Sequence, residues 1–153
     1  MKKIWIYQAD RFFTQPELET AQAQLKDFVA EWTAHGSQLA GNAEIKHNLF
    51  IILTVDEELA QATGCSIDKS VHMLKKLEAD LQIDLFNRML LSYRDIEGNI
   101  QLVSRDVFAA LYKEGEINED TIVYNNLIQS ADELETKWEV PFKDSWHATV
   151  FKK

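Results

Sequence analysis

Lys3 to Gln8 alternates Ile4 and Ile6 with the aromatics Trp5 and Tyr7, so the run has no strongly polar face and suits a strand covered on both sides. Phe13-Thr14-Gln15-Pro16-Glu17 then predicts a helix start. Thr14 can cap, Glu17 three residues on can reach back to the cap amide, and Phe13 and Leu18 stand where a hydrophobic staple closes. Leu18, Ala21, Leu25, Phe28, Val29 and Trp32 recur at helical spacing and His35-Gly36 offers a stop, so the first helix is expected over residues 15–35. After the turn signal Gly41-Asn42, Ala43 to His47 alternates and Leu49 to Val55 runs apolar and β-branched. These read as two strands joined tightly around His47-Asn48, the second central in its sheet.

A polar stretch leads to GCSIDKS, and Ile67, Val71, Leu74, Leu77 and Leu81 then mark one face of a second helix. Met89 to Arg94 and Asn99 to Val103 flank Asp95-Ile96-Glu97-Gly98 as a hairpin, and Ser104 caps a short helix ending near Gly115. Thr121 to Tyr124 is a further strand, and Ser130 with Glu133 forms a second capping box. In order these elements predict an α+β fold with a ferredoxin-like βαββαβ core, an antiparallel sheet with both helices on one face, over residues 3–95. A C-terminal β/α extension over residues 96–153 would lengthen that sheet or cover its open face. No repeat or linker interrupts the 153 residues, so a single domain is expected.

Charge and composition narrow the partners. Sixteen Lys and Arg against 25 Asp and Glu leave a net charge of −9, which argues against nucleic acid, whose affinity rests on cations that neutralise phosphates. The longest apolar run, Leu49 to Leu53, is far short of the ~20 residues of a membrane-spanning helix, and MKKIWIYQAD turns polar too early for an export signal. The lone cysteine, Cys65, excludes an internal disulfide and multi-cysteine metal frameworks and suits a reducing compartment, so a cytoplasmic protein is expected. A monomer is expected, or a homodimer if an apolar sheet face stays uncovered.

The segment Gly64 to Ser70 holds the most informative chemistry. Amides opening a helix carry partial positive charge, so they attract an anion and favour the thiolate of a nearby cysteine. Cys65 is therefore the candidate nucleophile, with His35 or His147 as its base; His72 lies two turns down the same helix. Ser66, Asp68, Lys69 and Ser70 are the candidate ligand-binding residues, joined by Trp146 from the aromatic run WEVPFKDSWH. Asp56-Glu57-Glu58 at a strand end could meet Mg²⁺, but in a chain with 25 acids a solvated loop explains it better, and no metal or cofactor is expected. No dinucleotide, zinc-protease or serine-hydrolase motif occurs. GSQLAG, Gly36 to Gly41, is half of a phosphate loop without its Lys and Ser/Thr, and it follows a helix instead of a strand.

WIYQADRFF, WTAHG, FIILTVDE, GCSIDKSV, EDTIVYNNL and WEVPFKDSWH together resemble a family of short uncharacterised bacterial proteins over nearly the whole chain. Members often bear the label ABC transporter ATPase. That label conflicts with the residues, which include no intact phosphate loop and no signature helix motif, and the family has no established activity to carry over, so the resemblance implies a compact bacterial cytoplasmic protein and nothing about substrate. The expectation is thus a non-catalytic ligand-binding or protein-interaction module, taking a small anionic ligand or a protein partner at a polar pocket by the second helix start. The alternative is a thiol-dependent enzyme using Cys65.

Overall fold

A computed structural model describes residues 2–34, 36–58 and 60–152. They form two compact units, Met1–Asn87 with Gln129–Ala131 and Arg88–Ile128 with Asp132–Lys153.

The first unit contains β1 (Lys2–Gln8), α1 (Gln15–Glu31), the two-residue strands β2 (Thr33–Ala34) and β3 (Ser37–Gln38), β4 (Ala40–Lys46), β5 (Phe50–Asp56) and α2 (Gly64–Leu81). Its main sheet is antiparallel in the order β1-β5-β4, so the apolar run forms the central strand, with Phe50 to Leu53 and Val55 fully buried. His47 and Asn48 hold φ of 56° and 54°, the left-handed backbone that a tight hairpin needs.

α1 begins as its local signals require. Glu17 N donates to Thr14 Oγ1 at 3.3 Å, and Thr14 N to Glu17 Oε1 at 2.9 Å. Arg11 grips the same carboxylate with two bonds of 2.7 Å. The guanidinium, with the Thr14 amide, lowers the Glu17 pKa to about 2. Thr14→Ala should cost about 1 kcal/mol in urea unfolding, and an unchanged midpoint would show that Arg11 alone holds this corner.

The helix stops at Glu31, four residues before the expected end, and the cause is tertiary. Trp32 is 1% exposed, its indole donates to Ser66 O at 2.9 Å, and it packs on Trp5 and Phe28 with centroids at 6.4 and 5.0 Å. Seating that ring turns the chain out of the helix into β2. Gly41 is needed beneath it, since a Cβ there would meet the ring at 2.8 Å. The β2–β3 hairpin then turns at Gly36, with φ of 78°.

The first sheet has three strands, not the four of the expected βαββαβ core. The strand assigned to complete it, β6 (Leu90–Arg94), pairs instead with β7 (Ile100–Ser104) and β8 (Ile122–Tyr124) in the second unit, whose order with β9 (Glu139–Pro141) is β7-β6-β8-β9. Asp95 drives the first of these pairings: its carboxylate accepts the Glu97 and Asn99 amides at 3.0 and 2.9 Å, and Gly98 at φ 85° completes a turn that joins β6 to its sequence neighbour. A short loop closes at little entropic cost, which favours that neighbour over a distant strand. The outer edge of β1 is met by another segment, with Ser130 opposite Lys3 and Ile4 N donating to Gln129 O at 3.1 Å. The fold is α+β with antiparallel sheets.

In the second unit α3 (Arg105–Glu114) is capped by Ser104, whose hydroxyl accepts Val107 N at 3.2 Å, and closes at Gly115 with φ of 87°. Phe108 on α3 packs with Leu91, Tyr93, Ile117, Val123 and Phe142 as the core. The helix expected after Ser130 is a single turn, α4 (Ala131–Glu133), running into a π turn over Leu134–Trp138. A last short helix, α5 (Trp146–Phe151), ends the described chain near its C-terminus.

Candidate functional site

The start of α2 is built differently from the pocket expected there. Thr63, not a residue of GCSIDKS, is the cap: Ser66 N donates to Thr63 Oγ1 at 3.1 Å and Thr63 N to Ser66 Oγ at 2.7 Å. Helical geometry then splits the candidate set. Ser66 and Ser70, four apart, are buried on the inner face with Leu74 and Leu77, and their hydroxyls donate to the helix's own carbonyls, Thr63 O at 2.8 Å and Ile67 O at 2.6 Å. Cys65, Asp68 and Lys69 are exposed on the outer face, with Lys69 Nζ donating to Thr33 Oγ1 at 3.0 Å. The two serines are thus engaged in the helix and do not converge with the outer three.

Of the two proposed bases, His35 lies outside the described residues. His147 belongs to the second unit, where it is 1% exposed, has Ser145 Oγ at 2.8 Å from Nδ1, is stacked by Trp146 at 3.9 Å and meets the tilted Phe108 ring at 5.5 Å. Burial first, and the Arg105 charge second, push its pKa down to about 4. It is a neutral core ring, and Trp146 is its half-buried cover. Because the folded pKa lies below the unfolded 6.5, stability from this residue is complete above about pH 6.5 and is lost as pH falls toward 4. Urea unfolding should lose about 3 kcal/mol over that interval through His147. His147→Phe should flatten the profile, and an unchanged slope would show that the ring titrates normally.

The acidic run after β5 is tied into its own loop. Asp56 Oδ1 accepts Glu58 N at 3.1 Å, Glu57 Oε2 accepts Ala62 N at 3.0 Å, and Lys3 approaches Glu57 at 3.6 Å. Among the described residues no three His, Cys, Asp or Glu side chains are placed to hold a metal ion.

Two concave surfaces lie elsewhere. In the first unit a groove of about 350 Å³ runs between α1 and β4, where Leu25 and Val29 meet Ala43 and Ile45, with Gln22 and Lys26 on the helix side. It lies along β4, which pairs with β5 on one side, in register over all seven residues; among the described residues no strand pairs with its other side. The sequence carried a signal for it: Gln22, Leu25, Lys26 and Val29 form one stripe at spacings of three, one and three, half polar where a core stripe would be apolar throughout. The second unit holds a larger groove of about 740 Å³ that includes Tyr93, Asp95 and Glu116. Comparison with family models, curated proteins and solved structures found no match to this chain.

Proposed function

We propose that the chain is a non-catalytic protein-interaction module that receives an extended segment of a partner along the outer side of β4, the end strand of the first sheet. One observation carries this reading: the two edges of the first sheet are treated differently, β1 being met by Ser130 while among the described residues no strand pairs with the outer side of β4, which runs unbulged beside a groove of mixed apolar and polar lining. Unpaired edge amides and carbonyls are a template for another strand, and proteins that must avoid such pairing shorten, bulge or cover the edge. A strand added there would direct alternate side chains into the groove between Leu25 and Ile45, which is how strand addition acquires specificity. The β1-α1-β4-β5-α2 order of this unit is also the part of a ferredoxin-like arrangement that supports the sheet assignment. An exposed thiol with no second cysteine supports a reducing, cytoplasmic setting.

A photo-crosslinking residue at Glu44, on β4, compared with one at Lys76, exposed on α2, tests the reading in the cells that make the protein. Adducts from position 44 and none from position 76 are expected. Equal yields, or none from either, would contradict it.

The exposure of Cys65 at the second residue of α2 favours a thiol-dependent alternative. Alkylation of Cys65 many times faster in the folded chain than in urea would support that enzyme, whereas equal rates would leave the interaction reading standing.

A further inference from the structure

If the outer side of β4 takes a strand, the residues of β4 and its groove decide which strand fits. Charge comes first. The chain as a whole has 25 acids against 16 bases, whereas β4 and the described lining of the groove hold one acid, Glu44, and two bases, Lys26 and Lys46. A basic partner would be drawn to the acid-rich remainder of the chain. This strip is where two copies of a chain of net charge −9 can meet without acid facing acid.

A two-fold axis perpendicular to the sheet pairs β4 antiparallel with its own image, and the sequence of the strand chooses the register. Alternation places Gly41, Ala43 and Ile45 on the side where Gly41 lies beneath Trp32, and Asn42, Glu44 and Lys46 on the other. Centring the axis on Glu44 sets two carboxylates directly opposite, which is repulsive. Moving it to Asn42 leaves Ile45 and Lys46 outside the paired strand, and moving it to Ile45 runs the pairing into His47, whose φ of 56° has already turned the chain. With Ala43 at the axis, all seven residues of Ala40–Lys46 pair. Ile45, the largest apolar side chain of the strand, then stands opposite Gly41, which has none. In both halves of the interface the Asn42 amide faces a Glu44 carboxylate, and an N–H donated to a carboxylate is a charge-assisted bond. The axis preserves faces, so the second copy's Ala43 and Ile45 lie on the side of the groove.

We propose, resting on the strand-addition reading above, that the strand added to β4 is β4 of a second copy, paired about Ala43, so that the two three-stranded sheets become continuous. Sedimentation velocity of the purified full chain from about 1 μM to about 1 mM, at about 0.15 M salt, reads the association. A monomer–dimer equilibrium is expected, weakened about tenfold by Asn42→Asp, which sets a second carboxylate against Glu44, and tightened by Asn42→Lys. Asn42 is exposed, so neither change should disturb the fold. The same two substitutions at Ala79, exposed on α2, alter the net charge equally and should leave the association unchanged. In a Cys65→Ser background, Ala43→Cys should form an interchain disulfide under mild oxidation, because residues opposite at the axis lie about 4.5–5.5 Å apart, and Lys76→Cys should not. A monomer at every concentration, equal responses at positions 42 and 79, or equal disulfide yields at positions 43 and 76 would overturn the self-pairing. If the crosslinker at Glu44 then captures a different protein, strand addition stands without self-pairing; if it captures nothing, both fail.

Discussion

Trp32→Ala is expected to destabilise the first unit by about 3–5 kcal/mol, the range for emptying a fully buried large aromatic site. The loss has two parts. The ring leaves a cavity against Trp5, Phe28 and Gly41, and Ser66 O inside α2 loses the indole N–H that satisfied it at 2.9 Å. Trp32→Phe keeps most of the volume and removes the donor, so its smaller cost, about 1–3 kcal/mol, isolates the hydrogen bond. Equilibrium denaturation of both variants checks this, and an alanine cost below about 1 kcal/mol would mean the indole does not hold α1's end to α2.

Phe108→Ala should weaken the second unit to a similar extent, about 3–5 kcal/mol. Phe108 is fully buried and meets Tyr93, Phe142, His147 and Phe151 at centroid distances of 6.2, 6.2, 5.5 and 4.7 Å, so no other ring can shift to fill its place without leaving its own partners. Its neighbour Val107, 47% exposed on the same helix, is the control: Val107→Ala should stay within about 0.5 kcal/mol. Near-equal costs would mean that the face of α3 packed on its sheet is wrongly assigned.

What could be read in the sequence was what neighbouring residues decide among themselves. The Thr14–Glu17 capping box, the His47-Asn48 turn, the Asp95–Gly98 hairpin and the Ser104 cap each depend on a few residues, and each is present. The end of α1 was not legible, because Trp32 leaves the helix to reach Ser66, 34 positions away. Strand partnership failed for the same reason: β6 has two local claims on it, and nothing in its composition says which sheet it joins. At α2 the residue types were recognised but not the cap; with Thr63 in that place, Ser66 and Ser70 turn inward and Cys65 outward.

The central claim is that β4 offers an open backbone edge, and residue-resolved amide hydrogen exchange in dilute, monomeric chain tests it most directly. Every second amide of Ala40–Lys46 should exchange at least about tenfold faster than the amides of Phe50–Asp56, whose strand is paired on both sides. Seven β4 amides protected as strongly as those of β5 would mean that the edge is already covered and that no partner strand is needed there.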